Sequence, residues 1–165
     1  MKKVIVFIIL FFMFLFSGNF ELSAKELENH STISSSTDEV VLLENGNYII
    51  KEIKEINEVR IARGTTYYKT GQLEVNEYNV SNNMLWTYTL TGTFLVEEGI
   101  SCICTSSSYS IEIFKNTWSF SDGRALYGSN YAHGLGTFTC KILFVTTQTI
   151  GIDVKLYCDS YGVLY

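Results

Sequence analysis

The stretch Leu85-Trp86-Thr87-Tyr88-Thr89-Leu90-Thr91-Gly92-Thr93-Phe94-Leu95-Val96 decides the fold class. Trp86, Tyr88, Leu90, Phe94 and Val96 alternate with Thr87, Thr89, Thr91 and Thr93. Successive side chains on a strand point to opposite faces, so this period of two puts the large apolar set on a buried face and the threonines on a solvated one. Two later stretches repeat the pattern. Phe138, Cys140, Ile142 and Phe144 are expected inward, with Thr137, Thr139 and Lys141 outward. Ile150, Ile152, Val154, Leu156 and Cys158 are expected inward, with Asp153 and Lys155 outward and a turn at residues 146–148 between the two strands. Glu97-Glu98-Gly99 supplies a turn into a long strand over residues 100–114, bent at its serines. A sheet with one apolar face must bury it against a second layer. Short strands between regular turn signals, with no long helical pattern after Gly64, predict an all-β antiparallel β-sandwich.

Working back toward the N-terminus, residues 40–43 and 48–50 are aliphatic or β-branched runs flanking Asn45-Gly46. Asn-Gly between two such runs signals a hairpin, because both residues tolerate positive φ. Ile50, Ile53, Ile56 and Val59 recur every three residues among lysines and glutamates. That spacing suits one face of a short helix, and a strand continuing the hairpin fits as well.

Residues 25–38 are polar, rich in Ser and Thr and without periodicity, and read as a flexible leader. Before them, Lys2 and Lys3 precede thirteen unbroken apolar residues, 4–16, and Leu22-Ser23-Ala24 offers small residues for cleavage. This is the order of a secretory signal peptide. As a helix the apolar run would reach about 20 Å, short of the ~30 Å hydrocarbon core, so no stable membrane span is expected after cleavage. The expected layout is a signal peptide at 1–24, a leader at 25–38, a hairpin or short helix at 39–64 and a β-sandwich at 65–165.

The chain has 165 residues, 47% hydrophobic, with no proline, which suits a single domain with a real core. Its net charge of −5 excludes an ordinary nucleic-acid binder, since phosphate contacts need a basic patch. Without Lys2, Lys3 and Glu21, ten basic and sixteen acidic residues remain, a net charge of −6.

An exported chain meets oxidising conditions, so four cysteines read first as two disulfides. Cys102 and Cys104 are two apart and share a strand face, while Cys140 and Cys158 fall on inward faces of their own strands. A Cys102–Cys104 bridge would be strained, which leaves each of them bonded to one of Cys140 and Cys158. Each bridge would contribute about 3–4 kcal/mol by the chain-entropy model. The spacing does not match paired zinc knuckles, and no C-x-x-C is present for thiol exchange.

No catalytic constellation emerges, and no cofactor or metal is expected. His133 with Ser129 or Ser121 and Asp122 or Asp153 would be a hydrolase only on availability, for no G-x-S-x-G elbow exists. Glu97 and Glu98 are consecutive, and on a strand would face opposite ways. The remaining candidates are aromatic. Trp86 reads as core, whereas Trp118 lies near a turn. Tyr67, Tyr68, Tyr127, Tyr131, Tyr161 and Tyr165 fall in loops or at ends. Exposed Tyr and Trp on a rigid scaffold give large contact area at low entropy cost. Trp118, Tyr127, Tyr131 and Tyr161 are therefore the candidate binding surface.

The string Leu85-Trp86-Thr87-x-Thr89-Leu90-Thr91-Gly92-Thr93-Phe94, then Gly99-x-Ser101-x-x-Cys104-Thr105-Ser106, Trp118, and Leu156-x-Cys158-Asp159-x-x-Gly162-x-Leu164 resembles a family of small secreted Firmicutes proteins, a domain of unknown function. Residues 40–46 and 63–68 fit it too. The resemblance implies an immunoglobulin-like sandwich and a Cys104–Cys158 bridge. Cys102 and Cys140 depart from the family pattern, and would form a second bridge together. No activity or ligand comes with the resemblance, and a fold does not supply one.

The functional expectation is a secreted or cell-wall-associated, non-catalytic binding module of a Gram-positive bacterium, with a glycan, peptide or protein as ligand. The alternative is a bacteriocin-like effector on competing cells, which the acidic charge opposes. A secreted hydrolase ranks third.

Overall fold

The computed structural model describes residues 30–33, 40–60 and 65–165. The expected signal peptide and most of the expected leader lie outside them. Within them are β1 (His30–Ile33), β2 (Val40–Leu42), β3 (Tyr48–Arg60), β4 (Thr66–Tyr78), β5 (Met84–Glu97), β6 (Ser101–Ile113), β7 (Trp118–Tyr127), β8 (Tyr131–Ile142) and β9 (Val145–Tyr157). They form two sheets, a five-stranded one in the order β2-β3-β4-β5-β6 and a four-stranded one in the order β1-β9-β8-β7. All pairings are antiparallel except β1 with β9, which is parallel.

The all-β, two-sheet architecture is the expected one, but the strand order has its own character. An immunoglobulin sandwich distributes its strands over the sheets by Greek-key connections. Here β2 to β6 follow one another across one sheet, and β7 to β9 across the other. The chain passes from sheet to sheet after β6, through residues 114–117.

Period-two alternation becomes packing as the physics requires. Trp86, Tyr88, Leu90, Phe94 and Val96 of β5 are fully buried, and so are Ile150, Val154, Leu156 and Cys158 of β9 or just beyond it. The Trp86 ring stacks on Phe138 from the opposite sheet at 3.8 Å and meets Trp118 edge-on at 6.2 Å. Tyr88 also crosses the gap. Its hydroxyl comes so close to β8 that a Cβ on Gly134 would sit 2.6 Å from it, so a side chain at 134 would displace the ring. Tyr67, expected in a loop, is buried on the inner face of β4.

Residues 50–60 are strand. β3 pairs with β4 from Tyr48–Tyr78 to Arg60–Tyr67, which places residues 40–60 in the same sheet as the sandwich that follows. The ladder with β4 satisfies the backbone groups that face it along this stretch, and the period-three isoleucines do not form a face: Ile53 is partly buried while Ile56 and Val59 are exposed. The Asn45-Gly46 hairpin forms as expected, with Gly46 at a φ of 82°. The bend expected at the serines of β6 is a bulge, where Thr93 pairs with Ser106 and Phe94 with Cys104, leaving Thr105 as the extra residue.

The β8–β9 connection departs from expectation. Cys140 pairs with Gln148, Lys141 with Thr146 and Ile142 with Val145, so the turn is Leu143-Phe144 and residues 146–148 belong to β9. A two-residue loop matches the twist of the strands it joins and extends the ladder. Phe144, expected inward, is fully exposed.

Candidate functional site

The C-terminus builds one end of the molecule. Asp159 Oδ1 accepts hydrogen bonds from the backbone amides of Tyr161 (2.8 Å) and Val163 (2.9 Å), and Gly162 takes a φ of 78°. This turn sends the chain back along β9, where Tyr157 and Tyr165 exchange backbone hydrogen bonds of 2.8 and 3.1 Å. Leu164 packs against the core in the space over Gly71. Asp159, Gly162 and Leu164 thus each have a structural task in the Leu-x-Cys-Asp-x-x-Gly-x-Leu string.

The returning chain completes an aromatic face on the outer side of β8 and β9. Tyr131 opposes Tyr157 across the ladder, with rings 5.5 Å apart, and Tyr157 stacks on Tyr165 at 5.4 Å and 12°. Lys155 Nζ lies 4.9 Å from the Tyr131 ring centre, a cation–π contact. His133, 6.4 Å from the Tyr131 ring, opposes Lys155, and its Nε2 is 2.7 Å from Asp153 Oδ1. The result is three tyrosine rings in a row, rimmed by a cation, an imidazole and a carboxylate.

Of the four aromatic residues expected at the surface, three gather at this end. Tyr131 is in the row, while Tyr127 (58% exposed) and Tyr161 (68%) stand on neighbouring turns. Trp118 is not with them. It is 7% exposed, at the far end of β8 opposite Cys140, because β7 begins there with its first residue turned into the core. Tyr165, named among the end tyrosines but not in the candidate surface, completes the row with Tyr157 and Lys155, which were not singled out. Strand alternation places Tyr157 and Lys155 on one outer face, and only the returning C-terminus brings Tyr165 to it.

Of the residues in the hydrolase combinations, His133 and Asp153 come together while Ser121 and Asp122 lie apart from them. Ser121 Oγ hydrogen-bonds Asp122 Oδ2 at 3.0 Å, four residues along the ladder from the His133 pairing. Among the described residues, Asp153 is the hydrogen-bond partner of His133. Glu97 and Glu98 are exposed at the β5–β6 turn. Beside the bulge in β7, Asp122, Arg124, Leu135, Gly136, Thr137 and Ile152 line a shallow open depression of about 280 Å³. Among the described residues, no cluster of His, Cys, Asp and Glu is arranged to hold a metal ion.

The cysteines are four free thiols, which corrects the expected bridges. Cys140 sits between Trp118 and Gln148, and Tyr131, nine residues before it on β8, pairs with Tyr157. At ~3.4 Å per residue that separates Cys140 from Cys158 by about 30 Å, so Cys140 has no partner within reach. Cys158, whose Sγ donates to the Asp159 carbonyl at 3.5 Å, interacts instead with Cys102, and that interaction raises the Cys158 thiol far above the usual range and lowers Cys102. Cys104 hydrogen-bonds the Ser106 carbonyl at 3.4 Å, and burial pushes its thiol up to about 11.

At the opposite end a polar cluster is buried between the sheets. Glu77 of β4 is 0% exposed, and its Oε1 accepts a hydrogen bond from Asn47 Nδ2 at 2.8 Å. Gln148 of β9 also faces the carboxyl, and accepts in turn from Asn45 Nδ2 at 2.9 Å. Trp86 Nε1 and Glu77 Oε2 are both buried without a hydrogen-bond partner, with the indole near enough to the carboxyl to favour its charged form. Burial pushes the Glu77 carboxyl up to about 7, against the pull of Asn47, Trp86 and Gln148, all neutral.

No family model, no curated protein and no solved structure matches this chain.

Proposed function

We propose that this chain is an exported, non-catalytic recognition module of a Gram-positive bacterium, free or held at the cell wall, as its resemblance to small secreted Firmicutes proteins suggests. Its ligand, a glycan, peptide or protein, would contact the tyrosine face. The observation that carries the reading is the Tyr131–Tyr157–Tyr165 row with Lys155 and Asp153 at its rim. Flat rings at low entropy cost, flanked by groups able to donate and accept, suit contact with sugar rings or peptide side chains. Sedimentation with purified cell-wall polysaccharide and a glycan panel would find the ligand class. Tyr131→Ala with Tyr157→Ala should then weaken binding about tenfold or more while the far-ultraviolet circular dichroism is unchanged. Binding undiminished in that double variant would overturn the assignment of the face.

For an exported protein the thiols add an expected result. Oxidation by a small-molecule disulfide should join Cys102 Sγ to Cys158 Sγ, each thiol losing its proton and the oxidant leaving as two thiols. The intact mass should fall by two hydrogens, and alkylation after unfolding should mark Cys104 and Cys140 alone. A bridge involving Cys140, or four alkylated cysteines after oxidation, would refute it.

A further inference from the structure

The β8–β9 hairpin ends in Ile142-Leu143-Phe144-Val145, and these apolar side chains stand in solvent: Leu143 is 87% exposed and Phe144 100%. Both turn residues have positive φ, 48° and 70°. A two-residue turn of this hand favours Asn-Gly, because branched and bulky side chains crowd the backbone there. The chain uses Asn-Gly at residues 45–46, yet here it places Leu-Phe, against both backbone preference and solubility. Strain and exposure together at one tip point to a use for the tip.

The two segments that form the tip carry charge of one sign. The whole chain carries −5, but residues 114–121 and 134–152 contain Lys115 and Lys141 and no Asp or Glu. The Lys141 amide donates to the Thr117 carbonyl at 2.8 Å, which holds the 114–117 connection beside the hairpin base. Phe114 on that connection is 45% exposed. An apolar point therefore rises with an exposed lysine on each of the two segments at its base, the exposed carboxylates of the adjoining elements being Glu112, two residues before Phe114, and Glu44, next to the Asn45 that hydrogen-bonds Gln148.

We propose that this tip inserts into the surface of an anionic lipid bilayer, with Leu143 and Phe144 among the upper acyl chains and Lys115 and Lys141 at the level of the phosphates. A convex point of four residues falls well short of the ~800 Å² per partner that a stable protein interface covers. Apolar side chains dipping below headgroups, with cations above them, form an interfacial anchor of ordinary design. The site lies at the other end of β8 and β9 from the tyrosine face and does not depend on that face having a ligand.

Phe144→Trp in the full chain tests it, since both native tryptophans are buried and the new indole would be in water. Adding phosphatidylcholine–phosphatidylglycerol vesicles should shift its emission to the blue, and bromine on the acyl chains should quench it. Adding Lys115→Glu and Lys141→Glu should weaken the apparent affinity about tenfold or more, as should high salt. The readout is local to residue 144, so attachment through residues 4–16 alone leaves it unquenched. Emission unmoved by vesicles overturns the proposal. So does a blue shift that grows with protein concentration in their absence, which would mean self-association, or quenching indifferent to the two lysines.

Discussion

Trp86→Ala should lower the unfolding free energy by about 3–5 kcal/mol, the range for removing a large buried aromatic side chain. Trp86 is fully buried on a strand with neighbours on both sides, and its ring packs across the gap between the sheets: Phe138 lies 3.8 Å from it, and Trp118 meets its edge. Two ladders hold its backbone, so the sheets cannot close over the void, and the full cavity term applies. Thermal unfolding should shift downward by about 10–20 °C for a domain of this size. Trp86→Phe keeps a ring for Phe138 to stack on and should cost less than half as much. A Trp86→Ala protein within 1 kcal/mol of the parent in urea unfolding, about the ordinary effect of a point substitution, would mean that this aromatic layer is not what holds the sheets together.

The second large effect is a dependence on pH. Glu77 moves from an ordinary 4.5 to about 7 on folding. A pKa raised in the folded state means the folded protein binds more protons between those values. Its contribution is therefore fully present below about pH 4.5 and is lost as pH rises to about 7. The loss amounts to about 3 kcal/mol. Glu77→Gln removes the proton and should flatten that part of the curve. Urea unfolding of both proteins at pH 4.5 and 7.5 isolates the effect, because other titrating groups are common to the two. Equal slopes would show that the carboxyl stays ionised in the fold, held by Asn47, Gln148 and the Trp86 indole.

Strand positions were legible where one face is apolar and the other is not. In β5 and β9 the alternation names nearly every buried residue, because the pleat leaves no other way to hide Trp86 or Ile152. Residues 50–60 were ambiguous for a physical reason. β3 turns Lys51 and Glu55 to the face that carries Ile49 and Ile53, so the polar pattern does not alternate, and a bulge between Glu55 and Asn57 changes its phase. Phe144 misled because hydrophobicity alone marks a residue for the core, and nothing local says that two residues are spent on a strained exposed turn. The candidate site was half visible. Tyr127, Tyr131 and Tyr161 could be picked out as ends of elements, but the Tyr157–Tyr165 stack depends on a turn capped by Asp159. Trp118 and the thiols failed together, for strand order decides both, and sequence spacing does not tell which end of β8 holds Cys140.

The parallel pairing of β1 with β9 sets an order of events. His30 pairs with Thr149 and Ile33 with Ile152, so the first described strand needs a partner that the ribosome makes only after all the other described strands. The five-stranded sheet can be laid down hairpin by hairpin as its strands appear, while β1 must wait. Until it docks, the outer edge of β9 is an open row of amides and carbonyls, the kind of edge on which chains associate with one another. A chain trimmed beyond Ile33 would keep that edge permanently bare.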